Sequence, residues 1–203
     1  MLNLENPYAP LFWNRDAGTA RHRAVLHTTW DLPFGRGRRY LASAPRPVDF
    51  VLGGWQLYWI AYLETGQYFS PSFSGADPSN TNTSDGLPDR IANGNLDRSD
   101  RKLTRWFDAT AFVRPPAGRF GNSGVNILQA PGLHEHNLTI GKRFPITERF
   151  KFTFEAAMQN VFNHPNFNNP AANISTPGSV GVVSSIETFA PARQIMLRGR
   201  LEF

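Results

Sequence analysis

Five stretches of the chain alternate between apolar and polar residues. In 22–32, Ala24, Leu26, Trp30 and Leu32 share one parity, with Arg23, His27 and Asp31 on the other. In 55–69, Trp55, Leu57, Trp59, Ala61, Leu63 and Phe69 oppose Gln56, Tyr58, Tyr62, Glu64 and Tyr68. In 136–144, Leu138, Ile140 and Phe144 oppose Asn137, Thr139 and Arg143. In 150–162, Phe150, Phe152, Phe154, Ala156 and Met158 oppose Lys151, Thr153, Glu155 and Gln159. The last, 193–203, sets Ile195, Leu197, Gly199, Leu201 and Phe203 against Gln194, Arg198, Arg200 and Glu202. Period two is the signature of an extended chain, whose successive side chains point to opposite faces. Most of these runs exceed the usual strand of about 5–6 residues and are long enough to cross a bilayer when tilted.

The connections add a direction to each strand. Outer-membrane barrels join their strands by short turns on the periplasmic side and long loops outside. If the last strand runs inward, residues 163–192 form an outer loop, "PITER" at 145–149 a periplasmic turn, and 70–135 a second outer loop. Residues 33–54 are then periplasmic, and long for that side. The expected fold is all-β: an antiparallel meander of long transmembrane strands forming a partial, unclosed outer-membrane β-barrel with long outer loops. Residues 1–21 are expected as the remnant of an outer loop, and 22–203 as about five barrel strands with their loops.

In this arrangement the apolar parity faces lipid and the polar parity the lumen. Arg198, Arg200, Glu202, Glu155 and Glu64 are the expected lumen-facing charges. Trp55, Trp59, Tyr68, Phe69, Phe144 and Phe162 are placed as an interfacial girdle, and Lys142, on the lipid parity, is expected to snorkel to the interface. A soluble or surface carbohydrate-binding β-sandwich gives the same alternation, with Trp59, Trp106 or Tyr68 stacking on sugar. Strand length, loop length and the aromatic end favour the membrane form.

Composition agrees with strands and turns. There are 16 Phe, 17 Gly and 16 Pro in 203 residues, charged residues are only 18%, and no long pattern of period 3.6 is present. No cysteine is present, which excludes disulfides and thiolate metal sites. The net charge of +5 invites a nucleic-acid reading, but the basic residues are scattered, and the densest run, "GRGRR" at 35–39, reads as a solvated turn. No nucleic acid is expected as a partner.

Candidate chemistry is sparse. "DPSNTNTSDG" at 77–86 offers Asp77, Asn80, Asn82, Ser84 and Asp85 as hard ligands, but lacks the acidic residue an EF-hand needs at its twelfth position, and reads as a solvated loop. His134 and His136 share a face without a third ligand. No catalytic motif or phosphate loop is found. No catalytic, cofactor or metal residues are expected, and no enzyme. "LTRWFDATAF" at 103–112 spaces Leu103, Trp106 and Phe107 like one side of a short helix, and Trp106 and Phe107 are the candidate outer-loop ligand contacts.

Several stretches resemble the C-terminal barrel region of TonB-dependent outer-membrane receptors, in particular the Oar-like group. They are "HRAVLHTTWDLPFGRGRRY", "GGWQLYWIAYLETGQYFSP", "RWFDATAFVRPPAGRFGNSGVNIL", "QAPGLHEHNLTIGKRFPITERFKFTFEAAMQNVFNHPNFNNP" and "ARQIMLRGRLEF". The resemblance implies uptake of a large nutrient by an intact protein of roughly 22 strands. TonB would be met only through a plug that this chain does not show. The resemblance also implies outer-membrane lipid and lipopolysaccharide as surroundings, and the barrel assembly machinery as a partner. Ile195, Leu197, Gly199, Leu201 and the terminal Phe203 then resemble the aromatic-ended signal which that machinery recognises. Five strands cannot close a barrel, so the chain is read as a fragment of such a receptor.

Overall fold

A computed structural model describes residues 15–203. The part of the expected loop remnant that precedes residue 15 lies outside the described residues. The described residues divide into two compact units: one of 23–63, 133–166 and 188–203, the other of 15–22, 64–132 and 167–187.

The first unit carries five long strands: β1 (Arg23–Asp31), β2 (Trp55–Glu64), β9 (Leu133–Pro145), β10 (Lys151–Gln159) and β11 (Gln194–Glu202). They form one sheet in the order β1-β2-β9-β10-β11. β10 is antiparallel to both neighbours, with Phe154 opposite Lys142 and Gly199, and Glu155 opposite Gly141 and Arg198. Leu32 N donates to Trp55 O at 2.9 Å and Thr65 N to His22 O at 3.0 Å, which closes the β1–β2 pair at its two ends. Each strand is thus hydrogen-bonded to its sequence neighbour in the sheet, and the expected meander is present. The sheet does not close on itself: β1 and β11 are its edges, exposed along nearly their whole length. Among the described residues no helix is long and apolar enough to cross a membrane.

Two strands end earlier than the alternation alone suggests. β2 stops at Glu64. Just beyond it Gly66 lies so close to Ala130 O that a Cβ there would collide with it, and a Cβ on Gly132 would sit 2.5 Å from Glu64 O. The two glycines let the chain leave and return in close contact. Tyr68 and Phe69 accordingly do not extend β2: they form the short strand β3 (Tyr68–Phe69), paired with β8 (Leu128–Gln129). They are buried, so their expected place in an interfacial girdle is corrected. β10 ends at Gln159 because Asn160 adopts φ 48°, a left-handed conformation that asparagine tolerates. The buried Asn160 side chain donates to the carbonyls of His164 (2.8 Å) and Pro191 (2.9 Å) and accepts from His164 N (2.9 Å). Asn166 in turn accepts from His134 N at 2.7 Å. The asparagines of "NVFNHPNF" therefore tie the turn after β10 together, and Phe162 falls in that turn, exposed, rather than in the strand.

The connection between β1 and β2 holds a helix that the alternation does not reveal, α1 (Arg46–Leu52). Proline at its start suits the first turn of a helix, where an amide is unpaired in any case. The amine of Lys142, expected to snorkel, ends on this helix and not in open solvent. Lys142 is only 5% exposed, and its amine donates to Phe50 O (2.6 Å) and Val51 O (3.1 Å), the last carbonyls of α1. A cation at a helix C-terminus meets carbonyls that have no intrahelical partner. The same amine lies over the Phe144 ring at 4.8 Å.

The second unit is built from the two long connections. Besides β3 and β8 it contains β4 (Phe73–Ser74) paired with β5 (Asp85–Gly86), and β6 (Asp89–Arg90) paired with β7 (Phe112–Val113). Its core comprises Phe69, Phe107, Ala111, Phe112, Leu128 and Ala130. Ser72 N donates to Ala172 O (3.0 Å) and Trp106 N to Gly181 O (2.8 Å), so 167–187 is knitted to 64–132. Residues 103–108 form turns and not the expected helix; a single 3-10 turn follows at Ala109–Ala111. Three small ladders and one five-stranded sheet leave no second large sheet for a sandwich among the described residues.

Phe107 contacts Phe69 and Phe112 edge-on at 5.8 and 6.1 Å, so its loss empties the centre of this core. Phe107→Ala is expected to cost about 3–5 kcal/mol in this unit. Limited proteolysis checks it: cleavage within 64–132 should accelerate strongly while the five-stranded sheet stays protected.

Candidate functional site: the ion-paired face of the sheet

The register places the polar parity of four strands on one face. Thr153 lies between Arg143 and Arg200, and Glu155 faces Arg198. Arg198 Nη1 reaches Glu155 Oε2 at 3.2 Å. Glu202 is shared, its Oε2 meeting Arg143 Nη2 at 2.5 Å and its Oε1 lying 3.5 Å from Arg200 Nε. On β2, Tyr58 Oη donates to Gln56 Oε1 (2.7 Å), and Gln56 Nε2 donates to Asp31 Oδ1 of β1 (2.7 Å). These groups line a groove of about 350 Å³ that includes Gln56, Tyr58, Arg143, Thr153, Glu155, Arg198, Arg200 and Glu202.

Four of the five charges expected to face the lumen are brought together here: Glu155, Arg198, Arg200 and Glu202. Arg143 joins them because β9 pairs with β10. Glu64 is not among the groove-lining residues; it is the last residue of β2. The pairs are half exposed, and cations exceed acids. The arrangement can hold water and weakly attract anions.

The opposite face is apolar and aromatic. Trp55 meets Phe144 and Phe154, both at 6.4 Å, and Phe144 meets Phe152 at 6.1 Å. Further along, Trp59 stacks on His136 at 5.6 Å and Phe162 meets His136 at 5.0 Å. Aromatic rings near both ends of the strands are what two membrane interfaces select. On β11 the expected assembly residues Ile195, Leu197 and Leu201 are exposed, Gly199 lies under the Phe152 ring, and Phe203 is 93% exposed just beyond the strand.

The remaining candidates dissolve into local structure. His134 and His136 do share a parity, but the His134 ring meets His164 (5.4 Å) while His136 is taken by Trp59. No group of three or more His, Cys, Asp or Glu poised for a metal occurs among the described residues. Asp77 accepts from Ser79 Oγ (2.8 Å) and Thr83 N (3.2 Å), so its carboxylate serves the turn, and the Ser79 hydroxyl above all holds it below the usual carboxylate range. Phe107, expected as a ligand contact, is 2% exposed in the core of its unit, which corrects that assignment. Trp106 is half-buried, with its indole N–H donating to Gln129 O at 2.8 Å. Neither burial was readable from helical spacing, because the partners come from segments distant in sequence.

An open antiparallel sheet with one ion-paired face and one apolar face ringed by aromatics is a wall segment of an outer-membrane β-barrel. A family model described as an outer membrane beta barrel domain matches residues 2–196, and the chain belongs to that family. The protein is thus placed in the outer membrane of Gram-negative bacteria, in a class that is typically not enzymatic. No curated protein and no solved structure matches the chain.

Two outcomes follow. A double-mutant cycle on Glu155→Gln and Arg198→Gln, measured by denaturant unfolding in detergent, should give a coupling of about 0.2–1 kcal/mol that falls with salt, as for a wet pair. In the loop unit, Asp108 accepts from the Thr110 hydroxyl (2.8 Å) and amide (3.2 Å), which holds its carboxyl below the ordinary value of 3.8. A depressed folded-state value means that the stabilisation is complete at neutral pH and is lost as pH falls below that ordinary value. Asp108→Asn, which mimics the protonated acid, should flatten the acid limb of the proteolytic resistance of 64–132 by lowering its resistance at neutral pH toward the level the unaltered chain shows in acid.

Proposed function

We propose that this chain is the C-terminal wall of a TonB-dependent transporter of the Oar-like kind, whose intact form takes up a large nutrient. The observation that carries the reading is the pairing of an ion-paired groove with long connections that fold into a unit with its own core. A large solute needs a polar lumen for passage and ordered surface on the outer side for capture. The resemblance of five separate stretches, in order, to such receptors supports the same reading.

In this account Arg143, Glu155, Arg198, Arg200 and Glu202 line the water-filled passage, while Trp106 is the half-buried aromatic of the capturing unit. A plug domain, contributed by the rest of the receptor, gates the passage and meets TonB. Lipid and lipopolysaccharide surround the apolar face, and β11 with Phe203 is the segment recognised by the assembly machinery.

Two measurements on the intact receptor test this. Site-specific cross-linking should capture the periplasmic domain of TonB, and the lack of any cross-link would remove the transport reading. Deleting Phe203 should lower the amount of folded barrel in the outer membrane several-fold, and an undiminished amount would refute the role of the terminal residue.

A further inference from the structure

The helix α1 has seven residues and none is buried, yet Val48, Phe50, Val51 and Leu52 are apolar and exposed. A helix this short is not stable in water on its own hydrogen bonds. It is held instead from its C-terminal half. The Lys142 amine takes the Phe50 and Val51 carbonyls, Trp55 Nε1 donates to Val51 O at 2.9 Å, and the Phe50 ring meets Phe144 at 5.2 Å. Trp55, Lys142 and Phe144 all lie on the apolar parity of the sheet, so α1 is fastened to the face that meets hydrocarbon. It stands at the end of the strands served by the short β9–β10 turn, which is the periplasmic end.

Beside it is a cavity of about 420 Å³ whose lining includes Arg36, Arg38, Arg46, Arg143 and Asp49. Gly35 (φ 116°) and Gly37 (φ 71°) bend the backbone so that Arg36 and Arg38 are displayed from one tight turn. The anion in the cavity is already engaged, because Asp49 Oδ1 accepts from Arg36 N at 2.6 Å. Arg143 is held by Glu202, and Arg38 lies 3.7 Å from Asp31. The guanidinium groups of Arg36 and Arg46 have no protein partner among the described residues.

We infer that the β1–β2 connection is a phospholipid site of the periplasmic leaflet, with the headgroup phosphate held by Arg36 and Arg46 and the acyl chains lying along Val48, Val51 and Leu52. Guanidinium groups match phosphate oxygens in charge and in planar, two-pronged geometry. Free phosphate would use the cationic cavity alone. The exposed apolar helix next to it, continuous with the hydrocarbon-facing side of the sheet, selects a ligand that carries both a phosphate and acyl chains. The site also accounts for the length of this periplasmic connection, which is more than a turn requires.

The intact receptor, purified in a neutral detergent, can be titrated with dioleoyl phosphatidylglycerol, with dioleoylglycerol, which lacks phosphate, and with inorganic phosphate, counting bound adducts by native mass spectrometry. Phosphatidylglycerol should saturate at a single tight adduct, bound about tenfold more tightly than dioleoylglycerol. Affinity should fall about tenfold in Arg36→Gln/Arg46→Gln, return only in part in Arg36→Lys/Arg46→Lys, which keeps the charge without the two-pronged geometry, and fall severalfold in Val48→Ser/Val51→Ser. All four positions are exposed, so these variants leave the packed sheet intact. Undiminished binding in the glutamine variant overturns the site. Displacement by an equal concentration of inorganic phosphate, with no effect of the serine substitutions, overturns the lipid in favour of free phosphate.

Discussion

In hydrocarbon there is no water to satisfy a backbone amide or carbonyl, so every strand in a membrane must give its hydrogen bonds to a neighbouring strand. The remainder of this structure depends on that constraint. It keeps β9, β10 and β11 in unbroken antiparallel register over most of their length, and the register assigns each side chain to a face. A slip by one residue would carry Glu155 and Arg198 to the lipid side and Phe152 and Phe154 to the lumen, so the pattern and the pairing enforce each other. The same constraint makes the open edges of β1 and β11 meaningful: in a bilayer they require further strands, since barrels of this class close with eight or more.

Once the faces are set, the two sides solve different problems. On the polar side, Arg143, Arg198 and Arg200 share two acids, and half-exposed pairs of this kind contribute little to stability while keeping the surface wet. On the apolar side, the buried cation Lys142 is relieved by two carbonyls and by aromatic faces. That single contact converts a residue costly to leave in hydrocarbon into the clamp that fastens α1.

Much of the sheet was legible in the sequence, because period two is a local property that the bilayer imposes on every strand. The five runs follow from it, as do the two long connections and the short turn, expected at 145–149 and found at 146–150. What escaped was set by contacts between distant segments. Phe69 falls back on the apolar parity of β2 after the polar Thr65 and Gln67, yet the close approach of Gly66 to Ala130 turns Tyr68 and Phe69 into another unit. Phe107 looked like one side of a helix and proved to be a core residue, because Phe69 and Leu128 reach it from elsewhere in the chain. The helix α1 left a faint trace in "RPVDFVL", with proline at its start, but nothing local showed that Lys142 would hold its other end. On the polar face, Arg143 shared the parity of the candidate charges, yet only the β9–β10 register brought it to Glu202.

The assignment of faces is the centre of this account, and a chain without cysteine of its own lets a single label be placed at any chosen position of it. Single cysteines placed in turn at positions 151–158 of β10, in the intact receptor in its membrane, can be spin-labelled and their collision rates measured with oxygen and with a water-soluble nickel chelate. The account predicts strict alternation, with oxygen favoured at 152, 154, 156 and 158 and the chelate at 151, 153, 155 and 157. Equal access at adjacent positions, or the opposite phase, would contradict it.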